Sequence, residues 1–264
     1  MFQISIVNRT LTISDLELHR VVRAVNRQVA DDFAPYWGFG GRLRVEGPAG
    51  ESLDAQAARE LRGDAILYLL DSATSADALG YHARTLRGIP YGFVYLDLCA
   101  KLGDAWSATL SHEALELIAD PQCNLLVQGP HPRGPALPQV YHYFEVCDAV
   151  QSHLYDIDGV TVSNFVLPSY FAPDDASEGR RDFSGTNLRS FDVNPGGYIG
   201  FFDPNLAGGG GAATFFADAR SEQRYAIKSR AASGQRDCPF GRVMRRAGTQ
   251  ATPQATPGTE AQMG

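Results

Sequence analysis

The sequence predicts an α+β fold, a mixed, twisted sheet with packed helices followed by a loop-rich C-terminal portion. Two observations favour this class. Apolar segments with strand and helix periodicity follow one another in the order β-α-β-β-β-α over the first 121 residues. The composition suits a globular protein with a sizeable core, because 44% of the 264 residues are hydrophobic and 20% are charged.

The first elements are a strand and a capped helix. Residues 2–7 (FQISIV) alternate as a strand does. The stretch SDLE at 14–17 has the S-x-x-E form of a capping box, and apolar residues then recur at helical spacing. A helix is therefore predicted over 15–33, ending before Pro35. Three more strands and a helix are predicted at 41–47, 65–71, 91–98 and 104–119.

The chain changes character after Pro121, where it becomes rich in proline and glycine. Residues 141–153 are compatible with a helix or with a strand and a turn, and the stretch from 172 to 214 is predicted to be mostly loops. We predict one domain over residues 1–246, with a sheet-and-helix part at 1–121 and a loop-rich part at 122–246. The low-complexity residues 247–264 are predicted to be a disordered tail.

Charge and composition exclude several function classes. The net charge of −7 disfavours nucleic-acid binding as the main activity. No apolar run is long enough to span a membrane and the first twenty residues do not resemble a signal peptide, so we expect a cytoplasmic protein. Four cysteines without a CxxC pair are expected to be thiols: Cys99, Cys123, Cys147 and Cys238. A solvated basic tail, alternatively an anion-contact surface, is predicted from Lys228, Arg230, Arg236, Arg242, Arg245 and Arg246.

The stretch WSATLSHEALELIADP at 106–121 carries the most specific chemical signal. His112 and Glu116 are four residues apart, so they share a helix face, and both side chains bind divalent metals. Glu113 occupies the place of the general base in H-E-x-x-H, and Glu116 replaces the second histidine. The simpler interpretation is a charged pair on an ordinary amphipathic helix. The strongly apolar residues around the pair favour a metal site, because buried carboxylates need a partner.

A second acidic group follows in FEVCD. Glu145 and Asp148 are three residues apart and share one face if the segment is helical. One of them could supply a third ligand, and the other could orient the His112 ring without binding the metal itself. The sequence leaves this choice open. Asp120 shares the face of Glu116 but lies about 12 Å from His112 along the axis, so we expect a helix-end or supporting role.

Other candidates have weaker support. His82, His142 and His153 could each be a ligand, although a structural role is the better prediction, and His131 is expected to be exposed. Cys147 is a poor candidate nucleophile because neighbouring carboxylates raise the pKa of a thiol. An oxyanion-stabilising phenol could come from Tyr141, Tyr143 or Tyr155.

The motif S-H-E-x-x-E-x-x-x-D-P with a later E-x-x-D resembles bacterial zincin-like metallopeptidases with an HExxE motif. The stretches AVNRQVADDFAPYWG, GYHARTLRGIPYGFVYLD and VSNFVLPSYF are also similar to that group, so the resemblance covers residues 1–200. It implies a zincin-like catalytic domain that hydrolyses peptides or proteins with a metal-activated water. Zn²⁺ would be held by His112, Glu116 and either Glu145 or Asp148, with Glu113 as base. It also implies an edge strand for an extended peptide, for which YGFVYLDL is our candidate.

The replacement of the second histidine by glutamate has a chemical consequence. Zn²⁺ with one histidine and two carboxylates has a formal charge near zero, so it acidifies bound water less than a site with two histidines. We expect weaker hydrolysis, a higher pH optimum, or a harder metal such as Mn²⁺. The alternative functions are a catalytically inactive zincin-like binding or structural protein, and an interaction module without a metal.

Overall fold

The computed structural model describes residues 1–50, 63–72, 90–122, 124–173, 179–206 and 210–232. The predicted first strand and helix are confirmed as β1 (Phe2–Asn8) and α1 (Asp15–Arg27). Ser14 caps the helix, because its side-chain oxygen accepts a hydrogen bond from the Glu17 N–H at 3.2 Å. The apolar stripe of α1 is buried against the sheet.

The helix predicted to continue to residue 33 changes its winding on the way. Residues Gln28–Phe33 form a π-helical turn, and a short α2 (Ala34–Trp37) follows before Gly38 ends it in the left-handed conformation. The buried Gln28 side chain bonds outside its helix, since its amide nitrogen donates to the Ser163 carbonyl at 2.8 Å. The π-helical turn thus begins at Gln28, the residue whose side chain connects the helix to Ser163 in the second half of the chain.

The first sheet contains β2 (Gly41–Val45), β3 (Ala65–Leu70) and β4 (Tyr91–Tyr95) in the order β2-β1-β3-β4. All its pairings are parallel, so the prediction of a mixed sheet is wrong for these described strands. Parallel and antiparallel strands are instead separated into different sheets. The strand predicted over 91–98 ends at Tyr95, because the chain turns directly into α3 (Leu96–Leu102).

The predicted helix of the HExxE stretch is α4 (Trp106–Ala119), which ends at Asp120 just before Pro121. It contacts β3 and β4 on one side and the later strand β8 (Val160–Ser163) on the other. Ten of its 14 residues are buried, so α4 is a core helix rather than a surface helix. Polar residues on such a helix must find partners inside the protein.

The loop-rich portion contains more regular structure than the sequence predicts. A second sheet is formed by β5 (Leu126–Gly129), β6 (Val140–Tyr143), β9 (Tyr198–Asp203) and β10 (Gly211–Phe216). Its strands are antiparallel and have the order β10-β9-β6-β5. A separate hairpin pairs β7 (Leu154–Ile157) with β8, and the last helix is α5 (Ala219–Ala232). Strands this short, separated by proline and glycine, give little periodicity, which explains why β5 and β10 are not predicted.

One hydrophobic core joins the two halves. It includes residues of β1, α1, α4 and β8, and the rings of Phe33 and Phe165 lie 5.3 Å apart within it. Cys99 and Cys147 are buried free thiols, as predicted. No helix of the described ranges has the length and apolar character needed to cross a membrane. The predictions for His82, Cys123, Cys238 and the tail at 247–264 lie outside the described residues.

Candidate metal centre

Helix α4 presents two of the predicted ligands to one cavity. The Nε2 atom of His112 lies 3.2 Å from the Glu116 Oε1 atom one turn later, as the helical spacing predicts. Both side chains are largely buried, with 12% and 5% of their surface exposed. Glu113 lines the same cavity from the adjacent position on the helix.

The second acidic segment also reaches this cavity. It follows the strand-and-turn alternative rather than the helical one, because β6 ends at Tyr143 and a 3₁₀ turn covers Asp148–Val150. The Asp148 Oδ1 atom nevertheless lies 3.4 Å from His112 Nε2, and Glu145 lines the cavity. All five predicted site residues therefore line one cavity. Three of them come from α4 and two from the segment after β6.

The spacing of these donor atoms fits a metal ion. Bonds of about 2.0–2.1 Å in a tetrahedral arrangement place neighbouring ligand atoms about 3.3–3.4 Å apart. The two distances from His112 Nε2 are 3.2 and 3.4 Å. Direct charge-assisted hydrogen bonds are shorter, typically about 2.7–2.9 Å. One imidazole and two carboxylates are donor types that bind divalent metals, and the two distances from His112 Nε2 match the spacing of ligand atoms around one ion.

In the metal-free site, neighbouring charges raise the pKa of the histidine and burial raises the pKa values of the glutamates. Burial disfavours a charged imidazole, but the carboxylates of Glu116 and Asp148 outweigh that effect and raise the pKa of His112 well above its usual value. Burial also raises the pKa of Glu116, although His112 opposes the rise. Burial raises the pKa of Glu113 to about 7, with His112 lowering it and Glu116 raising it. A carboxyl group that titrates near neutral pH is suited to accept and return a proton.

Glu145 and Cys147 complete the polar surroundings. Burial, reinforced by Glu116 and Asp148, raises the pKa of Glu145 well above its usual value. Burial and the same two carboxylates raise the pKa of the Cys147 thiol, which confirms the expected effect of the acidic neighbours. The donor atoms of His112, Glu116 and Cys147 all lie within 4.8 Å of one another, so the Cys147 sulfur is a candidate third ligand beside Asp148.

The turn that carries Asp148 is held by the chain near Gly197. The Asn194 N–H donates to the Ala149 carbonyl at 3.0 Å. A Cβ atom at Gly197 would lie 2.5 Å from the Ala149 carbonyl oxygen and 2.9 Å from that of Asp148. Only glycine permits this approach of two backbones, so the position of Asp148 depends on a residue nearly fifty positions later.

The walls of the cavity include residues that the sequence analysis did not select. The cavity has a volume of about 90 Å³. Tyr198 lines the cavity, and burial together with the charge of Asp148 raises the pKa of its phenol well above the usual value. Tyr225 packs against Tyr198 with ring centroids 4.9 Å apart. Lys228, predicted to belong to a basic tail, lies in α5 and lines the cavity. No local sequence motif identifies these three residues. Tyr198 reaches the site through the pairing of β9, and Tyr225 and Lys228 reach it through the packing of α5.

Several weaker candidates have other partners. Asp120 is a helix-end group as predicted, and its Oδ2 atom accepts a hydrogen bond from the Leu125 N–H at 2.8 Å. His131 was expected to be exposed but is buried, because its ring packs on Phe201 at 5.3 Å between centroids. His142 Nε2 lies 2.8 Å from the Pro130 carbonyl oxygen.

Two of the three tyrosines predicted as oxyanion donors lie away from the cavity. The Tyr155 hydroxyl donates to the carboxylate of Asp32 at 2.9 Å, and Tyr141 is exposed on β6. Tyr143 is buried and lines a smaller cavity together with Glu145 and Asp148. The cavity phenols of the described chain are thus those of Tyr95, Tyr198 and Tyr225.

Comparisons with protein-family models, with curated proteins and with solved structures find no match to this chain. The resemblance to zincin-like metallopeptidases therefore stays a prediction. The chemical interpretation depends on the cavity itself, which is lined by an imidazole, five carboxyl groups, a lysine and several aromatic side chains.

Proposed function

We propose that the protein is a metal-dependent hydrolase that cleaves peptide bonds. The metal ion, Zn²⁺ or Mn²⁺, would be held by His112, Glu116 and Asp148. Asp148 is preferred to Glu145 as the third ligand, because its Oδ1 atom lies 3.4 Å from His112 Nε2. Glu145 then acts as a hydrogen-bonding group beside the ligands.

The observation that carries this proposal is the convergence of donor atoms from two distant segments. The three side chains are each at most 12% exposed, and no lysine or arginine forms an ion pair with Glu116 or Asp148 among the described residues. Several buried carboxylates around one imidazole are costly in isolation, and a cation offsets that cost. An ordinary amphipathic helix pair would be exposed instead.

The residues have distinct roles in this proposal. A bound divalent metal would polarise the scissile carbonyl and acidify water. Glu113 takes a proton from the attacking water and later gives it to the leaving amine, a role that suits a pKa of about 7. Tyr198 lies beside Asp148 in the cavity wall and would offer its hydroxyl to the carboxylate. The aromatic wall limits the access of bulk water to the reacting groups.

The test combines elemental analysis with a peptidase assay. We expect about one equivalent of transition metal in purified protein, lost in His112→Ala and kept in Glu113→Gln. His19 is exposed on α1, so His19→Ala is the matched control and should keep the metal. Glu113→Gln should lower casein hydrolysis by about 10²- to 10⁴-fold, the usual contribution of a general base.

Each outcome separates the functions under consideration. Protein that contains no metal, or keeps it in His112→Ala, contradicts the proposed centre. Metal without hydrolysis of casein or short peptides would identify a non-catalytic metal-binding protein. Full activity in Glu113→Gln would reject Glu113 as the base and leave the metal site standing.

A further inference from the structure

Apart from the catalytic groups, the cavity is bounded mainly by large apolar or aromatic side chains. These residues come from β4, α3, β9 and α5, and they are Phe93, Tyr95, Leu98, Leu102, Tyr198 and Tyr225. The cavity volume of about 90 Å³ is of the same order as the roughly 150 Å³ engineered apolar cavity that binds benzene, so it has room for one apolar side chain. The cavity is therefore suited to one residue of a substrate.

Lys228 brings a positive charge to this apolar surface. Its ammonium group is half-buried and donates a hydrogen bond to Gln151 Oε1 at 3.0 Å. The Gln151 amide is itself fixed, because its nitrogen donates to the Gly196 carbonyl at 2.8 Å. Lys228 and Glu113 both line the main cavity and a smaller adjoining one.

The second cation near the cavity behaves differently. Arg224 donates two hydrogen bonds to the Asp104 carboxylate at 2.6 and 2.7 Å, and a third to the Leu102 carbonyl. Its charge is thus neutralised within the fold. Across the described part of the chain, no carboxylate lies within 4.0 Å of the Lys228 ammonium, and its hydrogen-bond acceptor there is a neutral amide.

We infer that Lys228 binds the free α-carboxylate of a peptide whose C-terminal side chain fills the apolar cavity. This inference rests on the proposed function and makes the protein a carboxypeptidase for apolar C-terminal residues. A half-buried cation with a neutral hydrogen-bond partner and two further N–H donors fits a carboxylate. A side-chain carboxylate has the same chemistry, but a substrate with an acidic side chain would leave the apolar wall unfilled.

The reaction balances with water alone. The C–N bond before the last residue breaks, and the oxygen of water forms the new carboxyl group of the shortened peptide. Glu113 carries one proton of that water to the leaving nitrogen. The released product is a free amino acid, whose α-carboxylate is bound by the Lys228 ammonium group until it leaves.

The test compares three blocked dipeptides: N-benzyloxycarbonyl-Gly-Leu, its C-terminal amide, and N-benzyloxycarbonyl-Gly-Glu amide. We expect the free acid to be cleaved with a kcat/KM about 10- to 100-fold above both amides, the value of one charge-assisted hydrogen bond. Lys228→Met should remove that preference, and Lys228→Arg should keep part of it. Arg220→Met removes an exposed charge from the same helix and should leave the preference unchanged.

A binding measurement makes the inference testable without turnover. Calorimetric titration of Glu113→Gln with N-acetylleucine and with N-acetylleucinamide should show tighter binding of the acid, by about 10-fold or more, lost in the double variant with Lys228→Met. Equal binding of acid and amide would overturn the inference, whatever the metal content. A cleaved Gly-Glu amide would assign Lys228 to an acidic side chain instead. Casein cleavage without dipeptide preference would overturn the inference and keep the hydrolase.

Discussion

In metal-free protein, the charge on Glu113 should weaken the fold at alkaline pH. The pKa of this carboxyl rises from an ordinary value of 4.5 to about 7 in the folded protein, chiefly through burial. The folded state therefore holds a proton that the unfolded state releases between these two values, so stability is highest below pH 4.5 and falls as pH rises towards 7. Each pH unit in this interval is worth about 1.4 kcal/mol, which sets an upper limit of about 3 kcal/mol.

The assay is urea unfolding of chelator-treated protein at several pH values from 5 to 8. Glu113→Gln keeps the shape of the side chain and removes its titration, so it should be more stable than the wild type at pH 8 by about 2 kcal/mol. The two proteins should converge near pH 5. Glu222→Gln changes an exposed glutamate on α5 and serves as the control for the substitution itself.

Two results would refute the reasoning. Stability of the metal-free wild type that rises or stays level from pH 5 to 7.5 would mean that the site carboxylates are solvated. A variant as pH-sensitive as the wild type, with no gain at pH 8, would mean that Glu113 does not lie in the buried cluster. Saturating metal should reverse the penalty in the wild type, because a cation then compensates the carboxylates.

Three further predictions concern metal binding and the support of the site. Metal binding should release protons, since His112 must lose its proton to act as a ligand, so affinity should be at least 10-fold weaker at pH 6 than at pH 8 by calorimetry. Ser111→Ala removes the acceptor of the buried Ser163 N–H and should lower the free energy of unfolding by about 1–3 kcal/mol in urea titrations. Arg224→Met breaks the pair with Asp104 and should speed hydrogen exchange of α5 more than that of α4.

The sequence predicts the helical half of the centre well, because helix geometry is local. A spacing of four residues is enough to place His112 beside Glu116, and the observed separation agrees. Glu145 and Asp148 were selected from a spacing that assumes a helix, but they reach the cavity through a strand end and a 3₁₀ turn. Their arrival depends on long-range packing, which no local spacing contains.

The missed elements have physical reasons. Helix α5 is polar over most of its length, with Ser221 and Tyr225 as its fully buried described side chains, so apolar periodicity hardly marks it. Lys228 then resembles the basic residues that follow it in the sequence. His131 stands between prolines, which suggests an exposed loop, yet Phe201 from β9 covers its ring. Each of these errors concerns a contact between segments far apart in sequence.

The contact at Gly197 makes the centre vulnerable from a distance. A methyl group there would collide with the backbone of the turn behind Asp148. Gly197→Ala should therefore mimic the loss of a ligand in a protein whose ligands are all intact. A screen for inactive variants would then find a substitution in a loop that contains no ligand. Its cause would be the contact between Gly197 and the turn that carries Asp148.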